Sequence, residues 1–208
     1  MIYLLGFEIL IVALYFTIPY LLNKFYTYNA KLVLKDPIYL ENKKQHSTYE
    51  ELNGSIDKNN YNYNYGLSSW IYVHQQPGNQ KNTSGEYVSL LNYGGKPNIL
   101  YNNSLKKLRI TMLNDRNKED IIYETNNFKL QKWNYVVINY TSGKLDVFIN
   151  NNLVVTKQNN IPYMTLDTIT TGDDDGLSGG ICNILYYKQP ISKRNMEIAY
   201  KTYVPMMI

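Results

Sequence analysis

The sequence predicts a mainly β fold, an antiparallel sandwich of the jelly-roll type, with an N-terminal transmembrane helix and a short C-terminal helix. Three observations carry this. Residues 133–155 read as strand, turn, strand, turn, strand, with β-branched and aromatic runs broken by Thr-Ser-Gly and Asn-Asn-Asn. Further short runs of the same character, each bounded by Gly, Pro, Asn or Asp, fill much of the chain. Residues 2–22 form an apolar run whose one charge is Glu8.

In the meander, Val136, Ile138 and Tyr140 fall on one pleat face, as do Leu145, Val147 and Ile149. Gly143 can supply the positive φ of a short hairpin loop. Asn151 stands where the second turn prefers Gly, and Asn tolerates the left-handed region better than other residues with a Cβ.

At about 1.5 Å rise per residue, Ile2–Leu22 just spans a hydrocarbon core of about 30 Å. Tyr3 and Tyr20 sit near its ends, where interfacial aromatics are favoured. Neither a basic n-region nor a small-residue cleavage site marks it as a cleaved signal. A buried helix in a soluble core is the alternative. No Lys or Arg precedes the run, while Lys24, Lys31 and Lys35 follow it, which places the rest of the chain on the cytoplasmic side of a bilayer. The single cysteine, Cys182, excludes an intrachain disulfide and agrees with a reducing compartment. Asn53, Asn82, Asn102 and Asn139 head glycosylation triplets, but with 27 Asn in 208 residues such triplets arise by chance. The expected division is an anchor over 1–24, a linker over 25–30, a β domain over 31–204 and an apolar tail over 205–208.

The β domain opens with short strands at 31–34 and 37–40. Residues 41–64 are polar and Asn-rich and read as a long loop or a loosely structured strand pair. Tyr61, Tyr63 and Tyr65 alternate, as an ordinary strand flank or an aromatic platform for sugars would. Strands follow at 67–73 (with Trp70), 86–93, 98–101, 105–113 and 121–124, and a last strong one at 179–187. Ser192 can cap a helix that runs to about Tyr203, where Val204-Pro205 stops it.

A net charge of +4, with 18% charged residues spread evenly, excludes a nucleic-acid footprint. Gly176-Leu-Ser-Gly-Gly180 matches a nucleophile-elbow string, but an acidic loop precedes it and a strand follows, where the elbow needs a strand and then a helix. The two histidines, His46 and His74, both come before Ser178, against the order of that fold, and show no metal-ligand spacing. Glycoside hydrolysis needs two flanking carboxylates, and Asp146 stands alone in the long meander. Asp173, Asp174 and Asp175, between Gly172 and Gly176, are the candidate metal ligands, for calcium; a solvated acidic turn is the alternative reading. No other cofactor is expected.

Three landmarks resemble the laminin-G-like, concanavalin-A-like jelly-roll superfamily. They are Tyr65-Gly-Leu-Ser-Ser-Trp70-Ile-Tyr-Val, the Trp133-Asn-Tyr-Val-Val meander, and Gly179-Gly-Ile-Cys-Asn-Ile-Leu-Tyr-Tyr187 with the Pro190-Ile-Ser and Glu197-Ile198 that follow. The resemblance covers about residues 31–204. The sequence departs from many relatives at Cys182-Asn183, where they carry acidic residues. Thr48-Tyr-Glu-Glu-Leu-Asn-Gly54, the Asn-Tyr repeats and Leu130-Gln-Lys-Trp-Asn, with the N-terminal run, are similar to membrane-anchored versions encoded by nucleocytoplasmic large DNA viruses. That resemblance implies a non-catalytic virion protein, a minor capsid protein between inner membrane and shell. Its partners would be the bilayer, through residues 2–22, and other virion proteins. A carbohydrate-binding module is the alternative.

Overall fold

The computed structural model describes residues 2–26, 29–54, 64–75, 85–162, 165, 167–203 and 205. Tyr61, Tyr63, Asn82, Val204 and the apolar tail at 206–208 lie outside the described residues.

The chain runs α1 (Ile2–Tyr26), β1 (Ala30–Leu34), β2 (Ile38–Tyr39), β3 (Lys44–Ser47), α2 (Tyr49–Asn53), β4 (Tyr65–Val73), β5 (Val88–Tyr93), β6 (Asn98–Asn102) and β7 (Lys107–Leu113). It continues with β8 (Glu119–Thr125), β9 (Trp133–Thr141), β10 (Lys144–Ile149), β11 (Asn152–Lys157), β12 (Ile169–Thr171), β13 (Gly179–Tyr187) and α3 (Lys193–Thr202). Two antiparallel sheets face each other. Sheet A has the order β1-β13-β4-β9-β10-β11, with β2 also paired to β13; sheet B has the order β3-β12-β5-β6-β7-β8.

The meander stands where the sequence places it. Ser142 and Gly143, and then Asn150 and Asn151, all have positive φ. That matches the primed two-residue turns whose twist suits a hairpin. The alternation also holds, with Val136, Ile138, Leu145 and Val147 buried between the sheets. Four tyrosines fill one end of this core. Tyr65 stacks with Tyr140 at 5.5 Å and Tyr186 at 6.3 Å, and Tyr93 meets Tyr65 edge-on at 5.6 Å. Desolvation, the largest cause, pushes the Tyr65 and Tyr93 phenols well above their ordinary range. Buried phenols need partners, and the Tyr65 hydroxyl donates to the Lys96 carbonyl at 2.5 Å.

The structure corrects the sequence reading at several points. Residues 41–64 are not merely a loop: they contain β3 and the short helix α2. Thr48 and Glu51 form a reciprocal capping box, and Tyr49 and Leu52 bury the inner face of α2. β12 was unforeseen; its three residues are fixed by pairing with β3 and β5, a long-range cause that local pattern does not carry. Leu105 is an exposed turn residue, so β7 begins at Lys107. In β13 a bulge with Asn183 at φ 46° breaks the strict alternation. It lets Ile181 and Ile184 both face the core, while Cys182 and Leu185 face outward. Tyr65 is 1% exposed, which removes it from any sugar platform.

The outer face of sheet A is covered. Ser192 caps α3 by accepting from Asn195 N–H. Met196 and Ala199 of α3 then bury against Trp70, Tyr135, Val137, Cys182, Leu185 and Tyr187. Tyr200 lies parallel to Trp70, at 5.8 Å and 3°. Burial pushes the Cys182 thiol up to about 12, despite a contact with the Tyr203 hydroxyl, so this cysteine is a packing residue.

At the β5–β6 turn Lys96 is 3% exposed, pairs with Asp167 and donates to Thr165 Oγ1 at 2.7 Å. A buried charge left without its partner is strongly destabilising. Lys96→Met should therefore lower unfolding stability by about 3 kcal/mol. Asp167→Asn placed in that background should restore part of the loss, as chemical denaturation of the four variants of the cycle would show.

Candidate functional site

Three surfaces could carry function: α1, the acidic loop after β12, and the outer face of sheet B. On α1, Leu10, Ile11, Val12, Leu14, Tyr15 and Phe16 are all exposed. At about 100° per residue these positions point to every side of the helix, unlike a core helix with one buried stripe. Among the described residues no helix is long and apolar enough to cross a membrane, so the described side chains alone do not meet the expectation of a transmembrane span. The apolar run read in the sequence also includes positions 2–5, 9, 19 and 22, whose side chains are not described.

Asp173, Asp174 and Asp175 do not converge. One Asp173 oxygen accepts from Ser89 N–H at 3.4 Å and the other from Asp174 N–H at 3.0 Å. Asp174 and Asp175 are exposed. Among the described residues no group of three or more His, Cys, Asp or Glu is arranged to hold a metal. His46 Nε2 lies 2.7 Å from Thr171 Oγ1. Burial, then the charge of Lys44, lowers its pKa. His74 packs edge-on against Tyr72 at 4.9 Å. Ser178 is followed at once by β13, so the string around it makes no strand–turn–helix elbow. Gly176 and Gly179 of the string let backbones approach closely. A Cβ on Gly176 would meet the Leu40 carbonyl at 2.0 Å. Asp146 accepts from Thr156 Oγ1 at 2.6 Å and pairs with Lys144 at 2.8 Å.

The constellation that sequence reading missed lies on sheet B. Leu108, Ile110 and Met112 of β7 point into the core, so Arg109 and Thr111 lie on the opposite side of the strand, where Arg109 is partly exposed and Thr111 is buried. Arg109 Nε donates to Glu124 Oε1 at 2.6 Å, and its guanidinium lies 3.8 Å from the centre of the Tyr87 ring. The Tyr87 hydroxyl donates to the same Glu124 oxygen at 3.2 Å, and Lys107 Nζ stands 3.8 Å from the other. Thr111 Oγ1 donates to Glu119 at 2.6 Å. A bulge in β8 therefore brings Glu119 and Glu124 to one face. The outward alternation of β7 was available as a signal for Arg109; the partner 15 residues away was not, because register across a bulge is invisible locally.

With this geometry in view, the comparisons fix the family. A family model described as the concanavalin A-like lectin/glucanases superfamily matches residues 44–194, and the chain belongs to that family. Among solved structures, the receptor-binding domain of botulinum neurotoxin C/D mosaic serotype matches with a TM-score of 0.61 at 18% identity, over 84% of this chain and 46% of that one. The serotype D ligand-binding domain in complex with N-acetylneuraminic acid matches with 0.60 at 16%, over 83% and 45%. Trypanosoma rangeli sialidase matches with 0.51 at 15%, over 67% and 22%. The chain thus spans about half the length of the toxin domains it matches. At these identities the likeness is one of fold. No curated protein matches.

The hydrogen bond from Arg109 is the main cause holding the Glu124 carboxyl below its ordinary value, with the charges of Arg109 and Lys107 adding to it. A depressed folded-state pKa stabilises the fold above the unfolded value, and that contribution fades as pH falls through the folded value. Carboxyl NMR titration should place Glu124 below 4.5, and Arg109→Gln should move it upward.

Proposed function

We propose that this chain is a membrane-tethered, non-catalytic binding domain, with α1 in the bilayer and the sandwich making the contacts. The observation that carries the tether is the exposure of apolar side chains on every side of α1. The run also matches a bilayer's thickness and has its lysines on one flank. A non-catalytic role is supported by the sites themselves. Ser178 lacks an elbow, and Asp146, the carboxylate of the long meander, is already engaged by Thr156 and Lys144. The setting we propose, on the resemblance to anchored domains of large DNA viruses, is a virion. There the domain, on the cytoplasmic side, would link the inner membrane to the shell as a minor capsid protein.

The outer face of sheet B favours a second reading, a lectin-like module. Aromatic, guanidinium and carboxylate groups gather there on a fold whose family name includes lectins.

The tether is tested by expressing the full chain in cells and extracting membranes with alkaline carbonate. The chain should stay with the pellet, and a form lacking residues 1–26 should be soluble. Recovery of the full chain in the supernatant would overturn the tether. Proteolysis of sealed membranes from the cytosolic side should digest the β domain. Mass spectrometry of purified particles should find the chain together with the shell protein if the virion setting holds.

A further inference from the structure

We infer that the cleft between α2, β1 and the first turn of α3 holds the headgroup of an anionic phospholipid from the bilayer that α1 enters. This rests on the membrane tether and goes beyond it by giving the sandwich a lipid site of its own. The cleft has a volume of about 870 Å³, within the range of small-ligand sites.

Its place in the chain is the first argument. With Ile2–Leu22 in the hydrocarbon, α1 runs on to Tyr26, about 6 Å further. That is the depth of a headgroup layer. Ala30 lines the cleft four residues beyond Tyr26, a reach of at most about 14 Å. α1 also touches α3, and Asn195 in the first turn of α3 forms another part of the wall. With α1 inserted, the cleft therefore lies beside the bilayer surface.

Charge is the second argument. Lys31 and Lys188 stand in the lining with one carboxylate, Glu51. Lys31 Nζ donates to the Glu51 carbonyl, and Lys188 Nζ donates to the Asn53 carbonyl at 3.0 Å. The end of α2 thus fixes both ammonium groups at the cleft. An ammonium has three donors, and the Glu51 carbonyl takes one from Lys31. The Glu51 carboxylate accepts from the Thr48 N–H at 2.9 Å within the capping box. Lys193 and Arg194, between the cleft residues Ser192 and Asn195, are exposed; so is Glu50, beside Glu51. Lining and adjacent residues together set Lys31, Lys188, Lys193 and Arg194 against Glu50 and Glu51. Cytoplasmic leaflets carry anionic lipids, which draw such a surface to them.

The wall suits a lipid better than a free anion. Its surface is more apolar than polar, with Ala30 and Pro190 half-buried in it. Inorganic phosphate gains nothing from that surface. The glycerol and first methylenes of a phospholipid do.

The test uses the full chain in neutral detergent, with phosphatidylserine and phosphatidylcholine of matched acyl chains, and native mass spectrometry to count bound lipid. Phosphatidylserine should bind at least about fivefold more tightly, and its binding should weaken as salt rises. Lys31→Gln should lower phosphatidylserine affinity about fivefold, the weight of one basic residue at an anionic surface. Lys31→Arg should keep it. Lys157→Gln, on the opposite edge strand of sheet A, should bind like the parent. Glycerophosphoserine, the same headgroup without acyl chains, should compete at least about tenfold less well. Equal binding of the two lipids would overturn the inference. Unchanged phosphatidylserine binding by Lys31→Gln would also overturn it, and would assign the lipid to α1. Loss of binding with Lys31→Arg as well would make the lysine a structural tie to α2, and equal competition by glycerophosphoserine would remove the phospholipid as occupant; either overturns it. No lipid preference in a chain that resists alkaline carbonate would overturn the inference and leave the tether standing. Release of the chain by carbonate would overturn both.

Discussion

Trp70 and the residues packed on it determine which surfaces this molecule can use. The middle strands of sheet A, β13, β4 and β9, are buried almost without interruption along their length. A sheet in that state needs cover on both faces. Sheet B covers one face through the aliphatic and tyrosine core. On the other, Tyr200 lies flat on Trp70, and Tyr135 meets Trp70 at 5.1 Å. Among the described residues the indole N–H finds no hydrogen-bond acceptor, so area and stacking hold the ring there. Because α3 occupies this face, the exposed polar face of the sandwich is the one on sheet B.

That division explains why sheet B's outer face has the composition it has. β7 turns Leu108, Ile110 and Met112 to the core and Arg109, which is partly exposed, and Thr111, which is buried, to the other side. In β13 every residue is buried, and the bulge at Asn183 turns consecutive apolar residues to the two sides in the proportions that two cores require. Gly66 shows how tight the covered side is. A Cβ there would approach Ile191 Cγ1 to 2.6 Å.

Much of this was legible in the sequence because it is local. The meander's turns, the aromatic strand around Trp70 and the Ser192 cap each depend on a few adjacent residues with a fixed conformational preference. What was hidden depends on register. β12 exists only because β3 and β5 flank it. The Arg109–Glu124 pair exists only because β7 and β8 meet across a bulge. Tyr65 illustrates the same point from the other side. Its alternation with Tyr61 and Tyr63 was visible, but which pleat face would be buried was not, and the face that holds Tyr65 went inward. The acidic loop shows the same division between local pattern and fold. Three adjacent carboxylates are visible in the string, while the Ser89 N–H that meets the first of them comes from a strand 84 residues away.

Two of the ion pairs of sheet B and its turns make a useful contrast. Lys96 is buried and Asp167 is partly exposed, and the pair fixes the β5–β6 turn against the loop before β12. Arg109 and Glu124 are both partly exposed at the surface, where a pair of this kind adds little to stability. Stability is therefore a poor reason for building three side chains, on three separate segments, around one carboxylate oxygen and one ring face. Orientation is a better one. A lysine at position 109 could answer Glu124 as a point charge, but it could not lie flat on Tyr87 or present two parallel donors. Only an arginine satisfies the ring face and the carboxylate at once, and doing so fixes its own orientation.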